Sequence, residues 1–194
     1  GTGYLQLMEE RLRNVQELGR VLLDKYKGRA SELVAAAGGS AIKLVIMLAA
    51  DLSSFRDEAT YQGRKIFFYK RAQLFAADLH GGFGGKGLGN FNDLERLTAF
   101  ADYKLPQVLR HVGAVEYAPG LAKRVERMMY LDPGSEEEVE IRANTIWAVE
   151  LIRREMKLLG KDITASEVDW LLWNLGQEDR FRAKPYHRTL TMYY

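Results

Sequence analysis

Apolar residues recur at helical spacing along most of the chain. Over residues 4–27, Leu5, Met8, Leu12, Val15, Leu18 and Leu22 fall three or four apart, while Glu9, Arg13 and Arg20 take the other side. That period predicts an amphipathic helix, and Gly28 ends it. Ser31 and Ser40 each precede an apolar run and are expected to cap helices over 32–37 and 41–52, with Gly38 and Gly39 between them. Residues 53–65 are polar and read as a surface loop, with a hairpin through Gln62 and Gly63 as the weaker alternative. A helix over about 66–80 follows. Wound at about 100° per residue, it gathers Phe67, Phe68, Leu74, Phe75 and Leu79 on one side, with Arg71 and Asp78 inside that stripe and Lys70 on its border. Buried charge is costly unless it is paired or lines a polar cavity. The pattern therefore leaves two readings open, an Arg71–Asp78 ion pair or a polar pocket cut into the core.

The glycine-rich segment 81–89, GGFGGKGLG, does not meet the phosphate-loop pattern, because His80 and Gly87 stand where Gly and Ser or Thr are needed. It reads as a connector. Asn92 or Asp93 is expected to start a helix ending near Asp102, and Leu105-Pro106 opens the next, with Pro in its first turn. Asp102 thus falls at a helix junction, and by pattern alone it reads as a capping residue. Pro119 begins a helix to about residue 130. Ser135 with Glu138, and Thr164 with Glu167, have capping-box spacing for helices over about 135–159 and 165–175. The first of these carries apolar residues all round and is expected to be central, with Glu140, Arg142 and Glu150 as semi-buried structural charges. On the second, Asp169 and Trp173 share a face. The aromatic tail RFRAKPYHRTLTMYY alternates and contains Pro185, so it is expected to be extended and packed down. The sum is an all-α fold in one domain over 1–194.

Composition narrows the function. Of 194 residues, 28 are Lys or Arg and 26 are Asp or Glu, for a net charge of +2. So even a balance gives no basic face for stable nucleic-acid binding. The chain has no cysteine, which excludes disulfides and thiolate metal sites. His80, His111 and His187 are scattered, so no metal is expected. The most apolar run, residues 44–52, is too short for a membrane span and contains Asp51. The N-terminal segment lacks a signal-peptide layout, and with the absence of cysteine this leads to the expectation of a cytoplasmic protein.

Five stretches, in order, carry a resemblance: FRDEATYQG at 55–63, FYKRAQLFAADL at 68–79, LTAFADYKLPQVL at 97–109, EVEIRANTIWAVELIR at 138–153 and PYHRTLTMYY at 185–194. Together they resemble the queuosine salvage proteins, the queuosine 5'-phosphate N-glycosylase/hydrolases. The resemblance covers nearly the whole chain. It implies an all-helical fold with the architecture of DNA glycosylases, hydrolysis of the N-glycosidic bond of queuosine 5'-monophosphate to free queuine for tRNA modification, and no cofactor. The family's chains are longer, with an N-terminal portion closing over the substrate. This chain starts near the family's middle, so that portion is an expected partner of the site. Lys104 also stands where the family often has Arg, which keeps the charge but loses a planar bidentate donor.

The chemistry the resemblance implies assigns roles. Breaking a nucleoside C–N bond builds oxocarbenium character on the sugar. Asp102 matches the family carboxylate that would stabilise it, attack the sugar as nucleophile or act as base toward water, and Lys70 matches the lysine of FYKRAQ, holding Asp102 ionised or touching the sugar phosphate. Queuine has a guanine-like donor edge, for which Asp169 is the candidate acceptor and Trp173 a candidate stacking surface. Tyr103 and Gln107 flank Asp102 and are expected to line the pocket, and His187 and Arg188 are candidates for the 5'-phosphate. Two other readings stand beside this one: a glycosylase for another nucleoside or damaged base, and a truncated module that binds a nucleobase or a partner chain without turnover.

Overall fold

The computed structural model describes residues 3–194. Eight α-helices and one two-stranded hairpin are present among the described residues, so the chain is all-α apart from that hairpin. Its contacts gather into two compact units. One comprises the chain up to Asp57, Arg71–Leu94 and Tyr193, and the other Glu58–Lys70, Glu95–Met192 and Tyr194.

The first unit contains α1 (Met8–Tyr26), α2 (Ala30–Ala36), α3 (Ala41–Asp51) and all but the first residue of α4 (Lys70–Gly82). Helix α1 forms where its period predicts and packs on α2, but none of its residues is buried and Leu5, Met8, Leu12, Val15, Leu18 and Leu23 face solvent. Its far end is tied to α3 through Asp51, which accepts from Lys25 Nζ at 2.5 Å and Tyr26 Oη at 2.6 Å. Helix α2 starts earlier than its serine implies, with Arg29 rather than Ser31 at the cap position. Ser40 does cap α3, its Oγ accepting from Lys43 N–H at 3.0 Å. Asp93 joins it, accepting from Ser40 Oγ and Ala41 N–H, each at 2.6 Å. The acid expected to start its own helix therefore completes the N-terminus of another. Arg71 lies over the Phe55 ring at 5.2 Å and donates to the Ser54 carbonyl. The glycine segment folds back on the end of α4, where the His80 ring meets the Gly89 carbonyl at 2.9 Å and a side chain at Gly89 would collide with the Leu79 carbonyl.

The second unit opens with the hairpin, β1 (Glu58–Tyr61) and β2 (Arg64–Phe67), antiparallel with Glu58 opposite Phe67. This overturns the surface-loop reading of 53–65 and the helical reading of Ile66 and Phe67. The turn is Gln62-Gly63, with φ of 47° and 75°, the left-handed pair that tight hairpins use. A short 3-10 turn at Leu94–Arg96, on the boundary between the units, replaces the helix expected up to Asp102. Then come α5 (Lys104–His111), α6 (Pro119–Glu126), α7 (Glu136–Leu158) and α8 (Ala165–Leu175). Leu105, Val108 and Leu109 of α5, Val149 of α7 and Val168 of α8 form one core. The capping box of Thr164 and Glu167 is complete. The box at Ser135 is only half made: Ser135 Oγ accepts from Glu138 N–H, while the Glu138 carboxylate turns inward. The tail is extended and pinned, with Leu131 N–H donating to the Arg188 carbonyl at 2.8 Å. Among the described residues, no helix is long and apolar enough to cross a membrane.

Candidate active site

Asp102 ends an irregular stretch. From Leu97 to Tyr103 the backbone is neither helix nor strand, so tertiary contacts must hold it. The carboxylate is 7% exposed. Its Oδ1 accepts from the backbone N–H groups of Lys104 at 2.8 Å and Leu105 at 3.1 Å, the first turn of α5. Those amides carry the positive end of the helix dipole. Capping and chemistry are thus compatible here, because one oxygen serves the helix. Burial pushes the Asp102 pKa up, opposed by the Lys70 ammonium, the two amides and Lys104, and the balance stays above the ordinary value.

Lys70 is the first residue of α4 and belongs with the hairpin in the second unit. It follows Tyr69, whose φ of 47° puts a bulky residue in the left-handed region, at a cost of about 1–2 kcal/mol. Strain of this kind persists only where the surroundings impose it. Here Tyr69 Oη donates to Glu58 at 2.9 Å, and Phe68 is buried.

Asp169, on α8 and 5% exposed, comes to the same place. Its Oδ2 accepts from Phe100 N–H at 2.7 Å. Burial, then the neighbouring Asp102 charge, raise its pKa to about 7, against the Phe100 N–H and Lys70. Two buried carboxylates and one ammonium therefore act on one another, a constellation that shifts protonation toward neutral pH. Among the described residues, no three His, Cys, Asp or Glu side chains gather to hold a metal.

The flanking candidates divide. Tyr103 is half-exposed, stacks on Tyr186 at 4.8 Å, and its hydroxyl pKa is raised by burial and by Asp102. Gln107 is buried and committed, donating to the Lys184 carbonyl at 2.6 Å and accepting from Lys104 Nζ at 3.0 Å. Gln107, but not Tyr103, lines a cavity of about 420 Å³ together with Lys104, Arg182 and Tyr186 among others. Trp173 lies one turn beyond Asp169 and is 44% exposed. His187 is 1% exposed; its Nε2 meets Tyr194 Oη at 3.3 Å and its Nδ1 has no hydrogen-bond partner. Burial, then Arg142, lower its pKa to about 4, so the ring is neutral. Arg188 points the other way, donating to Tyr130 Oη at 2.7 Å and lying over that ring.

The full chain, from residue 2 to 194, matches the family model described as queuosine salvage protein. The chain belongs to the queuosine salvage protein family. It is 50% identical along its whole length to a queuosine 5'-phosphate N-glycosylase/hydrolase of Sphaerobacter thermophilus, covering 60% of that protein. Proteins of the same name from Mus musculus and Dictyostelium discoideum are 42% and 40% identical over 98% and 95% of this chain, which covers 59% and 58% of theirs. This queuosine salvage chain therefore spans about three fifths of the length of these curated relatives.

Sequence reasoning expected Arg142 as a semi-buried structural charge, but not its contact with the segment that ends at Asp102. Arg142, on α7, donates from Nε to the Ala101 carbonyl at 3.1 Å and lies over the Phe68 ring at 3.9 Å and the Tyr194 ring at 4.7 Å. It pairs with Glu138 at 3.5 Å, and Glu138 also accepts from Tyr194 Oη at 2.6 Å and Gly134 N–H at 3.1 Å. The one available sequence signal was the spacing of four between Glu138 and Arg142 on a helix apolar all round. A capping box explained Glu138 more simply.

Proposed function

We propose that this chain carries the catalytic floor of an N-glycosyl hydrolase whose substrate is queuosine 5'-monophosphate, releasing queuine. The observation that supports this reading most directly is the Asp102 carboxylate, buried at the start of α5 with the Lys70 charge acting on it. A carboxylate held in that way stabilises positive charge developing at the anomeric carbon without reorganising. As the C–N bond breaks, its electron pair leaves with the base nitrogen. Water supplies the new C–O bond, and its two protons end on the base and on the sugar hydroxyl. Asp169, when ionised, accepts from the N–H donors of the guanine-like edge, and the Trp173 indole one turn on offers a stacking face. A deazapurine lacks N7, so its departure is not assisted by protonation there, which puts more of the barrier on Asp102.

The test is direct. The protein is incubated with queuosine 5'-monophosphate and free queuine is followed by mass spectrometry, with the unphosphorylated nucleoside in parallel. Asp102→Asn retains an oxygen to cap α5 but loses the charge, and is expected to lose about a hundredfold or more in rate. Absence of release, or equal release by wild type and variant, refutes the assignment.

A further inference from the structure

A displacement of about 1 Å can cost about a hundredfold in rate where catalysis depends on orientation. Asp102 and Lys70 arrive from distant segments, Lys70 at the start of α4 and Asp102 just before α5. Asp102 ends the irregular stretch from Leu97. Lys70 follows Tyr69, held in the disfavoured left-handed region. Something must set the spacing between the two.

Arg142 touches both approaches. One face of its guanidinium lies over Phe68, two residues before Lys70. Its Nε–H donates to the carbonyl of Ala101, one residue before Asp102. The Tyr194 ring also lies against it at 4.7 Å, and Glu138 balances the charge. Phe68, Glu138 and Arg142 are each 2% exposed. The arrangement needs a planar cation with a donor in the plane and flat faces for two rings, which an ammonium cannot supply.

We propose that Arg142 is a positioning residue: by bridging Phe68 and the Ala101 carbonyl it sets the spacing between the Lys70 ammonium and the Asp102 carboxylate. This rests on the assignment of Asp102 as the working carboxylate. The charged groups that act on Asp102 are Lys70, Lys104 and Asp169. Arg142→Lys keeps the charge at 142 and alters none of them, so any change in Asp102 titration reports geometry.

The experiment is a 13C-carboxyl NMR titration of Asp102, assigned with Asp102→Asn, in wild type, Arg142→Lys and Phe68→Leu. Phe68→Leu removes the ring while leaving the ion pair with Glu138, and serves where the Arg142 variant does not fold. Retreat of Lys70 is expected to raise the Asp102 midpoint by about half a pH unit or more. Turnover of queuosine 5'-monophosphate is expected to fall about tenfold or more in kcat, with KM changed less than about threefold. An unmoved midpoint in folded variants overturns the inference, even if activity is lost through a smaller folded fraction. A moved midpoint in a protein whose wild type releases no queuine supports the positioning role and removes the substrate reading instead.

Discussion

Replacing Asp169 with Asn should stabilise the protein, increasingly so as the pH rises. The change is nearly isosteric, and the amide oxygen can still accept from Phe100 N–H. What it removes is a carboxyl that resists ionising, because burial and the Asp102 charge raise its pKa from 3.8 to about 7. The folded protein therefore binds this proton more tightly than the unfolded chain does. Between pH 4 and 7 folding takes up protons, so the contribution of Asp169 to stability is present below pH 4 and is lost as the pH climbs through 7. The span from 3.8 to about 7 corresponds to about 4 kcal/mol at 1.36 kcal/mol per pH unit. His187 works against it. Its pKa falls from 6.5 to about 4 on folding, so stability gained from the unfolded chain's loss of that proton appears as the pH rises from 4 to 6.5, by about 3 kcal/mol. In the wild type the two largely offset each other over that window. Urea unfolding of wild type and Asp169→Asn at pH 4, 6 and 8 measures the difference. The expected outcome is near equality at pH 4 and a variant more stable by up to about 4 kcal/mol at pH 8. An advantage of the variant over wild type no larger at pH 8 than at pH 4 would refute the reasoning, because Asp169 would then ionise freely in the fold.

Three further outcomes follow from the same geometry. Lys70→Met removes the charge that holds the Asp102 pKa down, so the acid limb of the kcat/KM profile should move to higher pH and kcat should fall; an unmoved limb would separate Lys70 from Asp102. Glu138→Gln keeps the acceptor for Tyr194 but removes the carboxylate charge paired with buried Arg142, and should cost about 3 kcal/mol in urea unfolding. Thr164→Ala opens the capping box of α8 and should cost about 1 kcal/mol, read as a lower urea midpoint, with turnover unchanged in protein that remains folded.

Much of the fold was legible because its signals are local. A period of 3.6 places one side of a helix against whatever packs there, whichever partner that is, and α1, α3, α7 and α8 appear where the pattern puts them. Thr164 and Glu167 cap α8 because both groups sit within one turn. The hairpin was obscured because its turn puts Gln62 as well as Gly63 at positive φ, and because Phe67 and Phe68 fit a helical stripe as well as a strand end. Motif resemblance pointed to Lys70 and Asp102, and the donor edge of the implied base to Asp169, but neither told what holds them. The period alone also read α1 correctly as amphipathic without telling that its apolar side faces solvent.

Only the tertiary structure brings the proposed site residues together. Phe68 with Lys70, Ala101 with Asp102, Arg142 and Asp169 come from four separate segments, and their meeting depends on long-range packing that leaves no short-range period in the chain. The same holds for charge. Glu138 reads from its spacing as a capping acid, and only the fold makes it the buried partner of Arg142, with Tyr194 donating to it. A carboxyl group's pKa is set by the solvent it loses and the charges it gains. Sequence supplies the groups, and the packed chain supplies the distances at which they act.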